Sequence, residues 1–309
     1  MWTSDEILKR AIAGDVRALA RAITLIECRH EEFGKQLSRA KQHKPKEHRS
    51  SILGITGAPG AGKSTWVELM IQAVRDRQET IAVVAVDPSS PFSGGAILGD
   101  RIRMETHTMD SGVYLRSLSS RGHLGGRSAA TSEVVSLLDH VGFDWIIVET
   151  VGVGQSELGV MEVADTVVVI VTPEAGDTVQ AMKAGLFEVA DVFLVNKMDR
   201  PGADRMVKDL QESIDLGTSS SWVVPVLKGS GLQRQGHEAV LDTVVQHRQW
   251  CLGDGRTQWE SRRADARERF LLDLVAERAR QRAKNALSGE EMEKIRRGDG
   301  DPYTYLDSL

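Results

Sequence analysis

The chain is poor in cysteine. Its 309 residues hold two, Cys28 and Cys251, each isolated and neither part of a CxxC pair. That argues against a disulfide scaffold and against a CxxC metal site. A basic excess is also missing: the net charge is -5 at pH 7, so no global positive field directs the protein to nucleic acid. No apolar run reaches membrane-spanning length. The start, MWTSDEILKR, carries acids and no apolar stretch of the signal-peptide kind. Internal repeats and low-complexity tracts are lacking too. Together these absences lead to the expectation of a cytoplasmic protein with no nucleic-acid partner and no membrane. What is present is ordinary for a globular chain, 41% hydrophobic and 27% charged, with length for one large domain or two small ones.

Residues 3–27 have helical patterning, with Thr3 and Glu6 at capping-box spacing and Gly14-Asp15 separating two helices. The polar, basic stretch 29–50 reads as a solvated helix end plus a linker. The pattern then changes to short Val/Ile-rich runs: 52–57, 80–87, 112–118, 145–152, 165–173, 191–199 and 222–227. Near-continuous apolar runs indicate strands covered on both faces. Helical stretches between most of them, the first at 65–77, predict an α/β fold with a doubly wound, mainly parallel sheet. From 251 onward the chain is charged and helical, with Phe270, Leu271, Leu274 and Val275 at helical spacing. The predicted organisation is an N-terminal helical extension at 1–48, a central α/β domain at 49–250 and a C-terminal helical appendage at 251–309.

Most motifs fall at strand ends, where doubly wound sheets bind ligands. GAPGAGKST occupies residues 57–65, that is Gly57, Ala58, Pro59, Gly60, Ala61, Gly62, Lys63, Ser64 and Thr65. It follows a strand, opens a helix and has the full phosphate-loop spacing. Its glycines let the backbone approach a phosphate chain, Lys63 would reach the outer phosphates, and Ser64 would offer its hydroxyl to Mg²⁺. NKMD at 196–199 follows another strand. The carboxylate of Asp199 can accept from N1-H and the 2-amino group of guanine, donors that adenine lacks, so the mismatch leaves a polar group unpaired. Asn196 would order the loop, and the aliphatic stem of Lys197 would cover one ring face. Ser230, Gly231 and Leu232 would complete the base pocket. The nucleotide is therefore expected to be GTP or GDP.

Asp87 and Glu149 stand at strand ends, and Asp100 follows in the glycine-containing stretch after Asp87. With Ser64 they are the candidate ligands of Mg²⁺, held directly or through water. Gly152 could give its N-H to the γ-phosphate, letting residues 149–157 sense its presence. The segment ETVGVGQ puts Val153 where a Ras-like GTPase carries its water-orienting Gln, and Gln155 lies two positions on. Slow intrinsic hydrolysis accelerated by a partner is the expectation.

GAPGAGKST, VDPSSPFSGGAILGDRIRM, RSLSSRGHLGG, ETVGVGQSE, NKMD and DPYTYLDSL together resemble the MeaB/ArgK-type GTPases, relatives of the human methylmalonic aciduria type A protein in the metallochaperone branch of the P-loop GTPases. The likeness runs from LARAITLIE at 19–27 to the C-terminus. It implies a homodimer formed through the C-terminal arm. It also implies a GTPase chaperone that gates loading of adenosylcobalamin into an acyl-CoA mutase, methylmalonyl-CoA mutase or a relative such as 2-hydroxyisobutyryl-CoA mutase, and that protects the mutase. The cobalamin is expected on the mutase. The resemblance further implies a third switch segment, matched by GDTVQAMKAG with Asp177, Gln180 and Lys183, in which Lys183 is the candidate catalytic charge beside Lys63 and Glu149. Two departures are visible: the base loop carries Ser230-Gly231 where the family usually has Ser-Ala, and LGTSSSW at 216–222 is short and irregular. A nickel-insertion GTPase is disfavoured because both cysteines lie far from every motif. A transport-linked ATPase or kinase is disfavoured by NKMD, and a non-catalytic scaffold by the set Ser64, Asp100 and Glu149.

Overall fold

A computed structural model describes residues 2–28, 31–42, 50–87, 107, 109–119, 126–150, 163–175, 186–215, 221–287, 289–299, 301 and 303. Three helices open the chain: α1 (Ser4–Ile12), α2 (Val16–Glu27) and α3 (Glu31–Gln42). The predicted capping box is present, since Glu6 N donates to Thr3 Oγ1 at 3.3 Å and Thr3 N donates to Glu6 Oε2 at 2.8 Å. Asp15 caps α2 by accepting from the N-H groups of Arg17 and Ala18. The stretch expected to be a solvated helix end instead builds α3, which buries Phe33 and Leu37 completely. Those two apolar residues, four apart, are enough to pin an otherwise polar helix to the core.

Strands and helices follow. They are β1 (Ser51–Gly57), α4 (Lys63–Asp76), β2 (Ile81–Asp87), β3 (Val113–Ser119), α5 (Gly126–Val141), β4 (Trp145–Thr150), β5 (Thr166–Val171), α6 (Leu186–Val189), β6 (Val192–Val195), α7 (Ala203–Asp215), β7 (Val226–Lys228) and α8 (His237–Leu252). The seven strands form one sheet in the order β3-β2-β4-β1-β5-β6-β7, and every pairing is parallel. The run at 222–227 contributes less than expected, with pairing confined to Val226–Lys228.

Alternation along each strand divides the core in two. Val167, Val169 and Val171 of β5 face the side covered by α5, α7 and the N-terminal helices, together with Ala82, Val84 and Val86 of β2. Val168 and Ile170 face α4 and α8, joined by Val83, Ile147 and Leu194. Apolar groups on both faces are why the strands read as unbroken Val/Ile runs.

The last two helices with described bounds are α9 (Arg256–Ala286) and α10 (Gly289–Arg297). The long α9 is fastened to the edge of the sheet opposite the phosphate loop. Arg262 donates from both terminal nitrogens to Asp191, at 3.0 Å each. Arg263 Nη2 and Trp259 Nε1 donate to Asp165 Oδ1 at 2.5 and 3.0 Å. The two carboxylates also accept backbone N-H groups, Ile52 N at Asp165 and Val167 N at Asp191. They therefore join α9 to β1 and β5. Paired, hydrogen-bonded charges of this kind tolerate burial that an isolated carboxylate would not.

His247 of α8 lies within this network. It is buried, with Nδ1 2.8 Å from Thr166 Oγ1 and Nε2 3.4 Å from Asp191 Oδ1. Burial pushes its pKa below the ordinary 6.5; Asp191 raises it, Arg262 lowers it and Asp165 raises it, and burial wins. The neighbouring Cys251 thiol is pushed up to about 12, chiefly by burial, which makes it an inert packing residue. A histidine with a depressed native pKa is neutral in the fold and takes a proton more readily once unfolded. Stability is then complete above pH 6.5 and falls as pH drops below it. The melting temperature of the protein should decline between pH 6.5 and 5.5, and His247→Gln should flatten that decline whatever its effect at pH 8. Parallel melting curves for the two proteins across that interval would remove His247 as the cause.

Candidate nucleotide site

Because all strands run one way, the carboxyl ends of β1, β4, β6 and β7 share one edge, and the motifs converge there. The turn at 57–62 leads from β1 into α4. Gly62 stands before the helix at φ 95° with no side chain capping the first turn. The N-H groups at the start of α4 are thus aimed outward together with the positive helix end, an arrangement suited to a phosphate chain. Lys63 is buried, and its Nζ donates to Gly57 O at 2.6 Å and Ala58 O at 3.2 Å. The ammonium is therefore held inside the loop. Pro59 and Gly60 are exposed at its tip, and Ala61 is buried beneath it.

Ser64 Oγ donates to Glu149 Oε1 at 2.8 Å. Glu149 is buried on β4, in register with Ile55 on one side and Ala85 on the other. Thr150 Oγ1 donates to Thr56 Oγ1 at 3.1 Å, tying the same strand ends together. A hydroxyl beside a carboxylate at a strand tip offers the hard oxygen donors that Mg²⁺ takes. Asp87 closes β2 opposite Ser119 of β3. Asp100, Gly152, Asp177, Gln180 and Lys183 lie outside the described residues. Among the described residues no cluster of three acidic, His or Cys side chains forms a further metal site.

The side expected to receive the base is organised by Asn196, which is buried. Its Nδ2 donates to Ala61 O at 2.7 Å, and its Oδ1 accepts from Gly231 N at 3.0 Å. Asp199 is exposed and accepts from Ser230 Oγ at 3.0 Å, so its carboxylate is oriented before any ligand binds. Lys197 occupies the left-handed region at φ 60°. Leu232 is exposed at the loop tip. The glycine that replaces alanine at 231 has a local reason: a Cβ there would lie 3.1 Å from Thr65 Cγ2 and 3.4 Å from Trp66 Nε1. Thr65 makes the tight approach, and Trp66, buried under the loop, lies at ordinary contact distance.

One neighbour of this site was not foreseen from the sequence. Glu174, in a 3₁₀ turn (Pro173–Ala175) after β5, pairs with Arg200 and lies 3.7 Å from Lys197 Nζ. Desolvation pushes its carboxyl up, but the Arg200 hydrogen bond, the local backbone, Thr172 and the charge of Lys197 outweigh that and leave it below the usual carboxylate range.

Two glycines of the loop give a contrast that tests this geometry. A Cβ at Gly62 would fall well inside the contact distance of Asn196 Nδ2, whereas a Cβ at Gly60, φ 74°, would meet nothing within 4 Å. Gly60→Ala carries only the left-handed penalty of about 1–2 kcal/mol. Gly62→Ala carries that penalty and also displaces Asn196. Titration with a fluorescent guanine nucleotide should give a markedly weaker complex for Gly62→Ala than for Gly60→Ala. Equal losses would mean that Asn196 does not set the loop.

Comparison with known proteins follows the same lines. The family model described as "Methylmalonyl Co-A mutase-associated GTPase MeaB" matches residues 19–288. A protein of Pyrococcus abyssi named as a GTPase is 39% identical, over 99% of this chain and 95% of its own. GTPase ArgK of Escherichia coli is 36% identical over 83% and 79%. The mitochondrial methylmalonic aciduria type A homolog of Mus musculus is 31% identical over 88% and 69%. Among solved structures, that of an LAO/AO transport system kinase superposes with a TM-score of 0.71 at 25% identity, covering 99% of this chain and 96% of that one. With its phosphate loop, parallel sheet and near full-length relatives in agreement, the chain belongs to the MeaB family of P-loop GTPases.

Proposed function

We propose that this GTPase is the chaperone of an adenosylcobalamin-dependent acyl-CoA mutase, acting in the cytoplasm as a timer of cofactor loading. The family description names a mutase-associated GTPase, and the mouse relative carries the name of a methylmalonic aciduria protein. The single observation that carries the timing mechanism is the contact between Ser64 and Glu149. It links the phosphate loop to the strand from whose end the segment 149–157 departs. A change at the outer phosphate can therefore reach that segment through one hydrogen bond.

In this reading Gly57–Thr65 cradle the phosphates and Lys63 neutralises their charge. Asn196, Lys197, Asp199 and Ser230–Leu232 receive guanine. Ser64, with Glu149, Asp87 and Asp100, would hold Mg²⁺, which when bound supplies charge neutralisation between the outer phosphates. Gly152 reports the γ-phosphate. Lys183, with Asp177 and Gln180, is assigned to a segment that completes the site only when the mutase is bound, with Lys183 supplying the charge an arginine finger gives elsewhere. The cobalamin stays on the mutase.

Turnover measurements test this directly. The isolated protein should hydrolyse GTP in a single turnover well below ~1 per second, the scale reached by activated GTPases. One mutase among those acting on methylmalonyl-, isobutyryl-, ethylmalonyl- or 2-hydroxyisobutyryl-CoA should raise that rate. Lys183→Ala should keep the slow rate and lose the stimulated part. Stimulation by none of these mutases would overturn the client assignment, and normal stimulation of Lys183→Ala would remove the lysine from it.

We also propose that two copies pair through the C-terminal arm. Leu271, Leu272 and Val275 are each more than half exposed on α9, an apolar stripe that solvated helices rarely carry. Sedimentation should give a species of twice the 33.9 kDa chain mass. The double substitution Leu272→Glu with Val275→Glu should convert it to a monomer that still binds GDP. A dimer unmoved by that change would place the interface elsewhere.

A further inference from the structure

The turn after β5 and the turn after β6 lie side by side, and Glu174 is where they meet. Its carboxylate stands between two cations of the second turn, Lys197 at 3.7 Å and Arg200 in a direct pair. The same turn sends Asn196 inward to Ala61 and Gly231 and presents Asp199 beside Ser230. Its backbone is closed by Arg200 N donating to Lys197 O at 2.9 Å. Lys197 is thus a non-glycine residue held at positive φ, with the end of its side chain facing a fixed charge. A lysine carries four rotatable bonds and considerable rotamer entropy, which binding must otherwise remove. Here the backbone fixes one end of the side chain and Glu174 restrains the other.

We propose that Glu174 is a positioning residue for the base side of the nucleotide site: by holding the Lys197 ammonium it keeps the lysine's methylenes spread as a preformed lid on one face of guanine. Arg200 pairs with the same carboxylate from its solvent-exposed side and does not touch Lys197's share of it. The proposal rests on the guanine-site reading of Asn196, Lys197 and Asp199. Glu174 touches no reacting atom, and it acts through Lys197 alone.

Equilibrium titration with a fluorescent GDP checks it. Glu174→Gln keeps the shape and removes the charge, and should weaken GDP about three- to tenfold, the range expected when one rotamer-rich side chain loses its preorganisation. Competition by inorganic triphosphate, which has no base to cover, should be unchanged. In a Lys197→Ala background the same substitution should add nothing, since the two residues act as one unit. Arg200→Ala should stay within about twofold of the parent, because Lys197 keeps its partner. A Glu174→Gln protein with unchanged GDP affinity, or with an equal loss of inorganic triphosphate, would overturn the proposal. So would a full additional loss in the double variant, or an Arg200→Ala protein as impaired as Glu174→Gln. Asp199→Ala separates the underlying reading: if guanine is still preferred over adenine in that variant, the base site itself has been misassigned.

Discussion

Two hydrogen bonds from one buried amide hold the nucleotide edge of this protein together. Asn196 donates to the carbonyl of Ala61 in the phosphate loop and accepts from the N-H of Gly231 in the base loop. Three chain segments, separated by 135 and 35 residues, are set relative to one another by that side chain. A carboxylate in its place could accept from Gly231 but could not donate to Ala61, and an aliphatic residue could do neither. Leaving both backbone groups buried without partners would cost on the order of 1–3 kcal/mol each. The geometry of Gly62 follows from the same amide, since no Cβ fits where Asn196 Nδ2 lies. Gly62 in turn stands at φ 95° as the residue before α4, where no side chain caps the helix.

The opposite edge of the sheet is organised by charge. Asp165 precedes β5 and Asp191 precedes β6, and each meets an arginine of α9. These are two of the strands whose other ends carry the Glu174 turn and the Asn196 turn. The candidate nucleotide site and the arm therefore sit at the two ends of the same pair of strands, which are paired in register from Val168–Val192 to Val171–Val195. A packed parallel sheet does not deform smoothly. The arginine pairs thus fasten α9 to the same two strands that carry the candidate base site at their other ends.

Much of this was legible in the sequence because the signals were local. The phosphate loop has its spacing in nine consecutive residues, NKMD in four, and the buried strands announce themselves by unbroken Val/Ile runs. The capping residues Thr3 and Asp15 work within three positions of themselves and were equally readable in principle. What escaped depends on contacts between distant residues. Phe33 and Leu37 sit in a polar stretch, and nothing local distinguishes them from residues of a solvated helix until the core they enter is known. Arg262 and Arg263 belong to a run of alternating charges, which ordinarily means a solvated face. Only their partners, 71 and 98 residues earlier, make them structural. Glu174 escaped for the same reason: its role depends on a turn 23–26 residues later in the chain.

The glycine at 231 is a small example of why such departures have to be read in three dimensions. Taken alone, replacing a methyl by hydrogen in the base loop suggests a looser pocket. The neighbouring phosphate-loop helix carries Thr65 and Trp66, and the indole is buried below the loop with its Nε1 hydrogen-bonded to nothing among the described residues. The side chains at 65 and 66 border the space beside Gly231, and the loop backbone reaches Asn196 at 3.0 Å. A substitution in one motif and a bulky residue just beyond another are thus one feature. An alanine at 231 would meet Thr65 Cγ2 at 3.1 Å, so the methyl of Thr65 would have to give by a few tenths of an ångström, while Trp66 would be in ordinary contact.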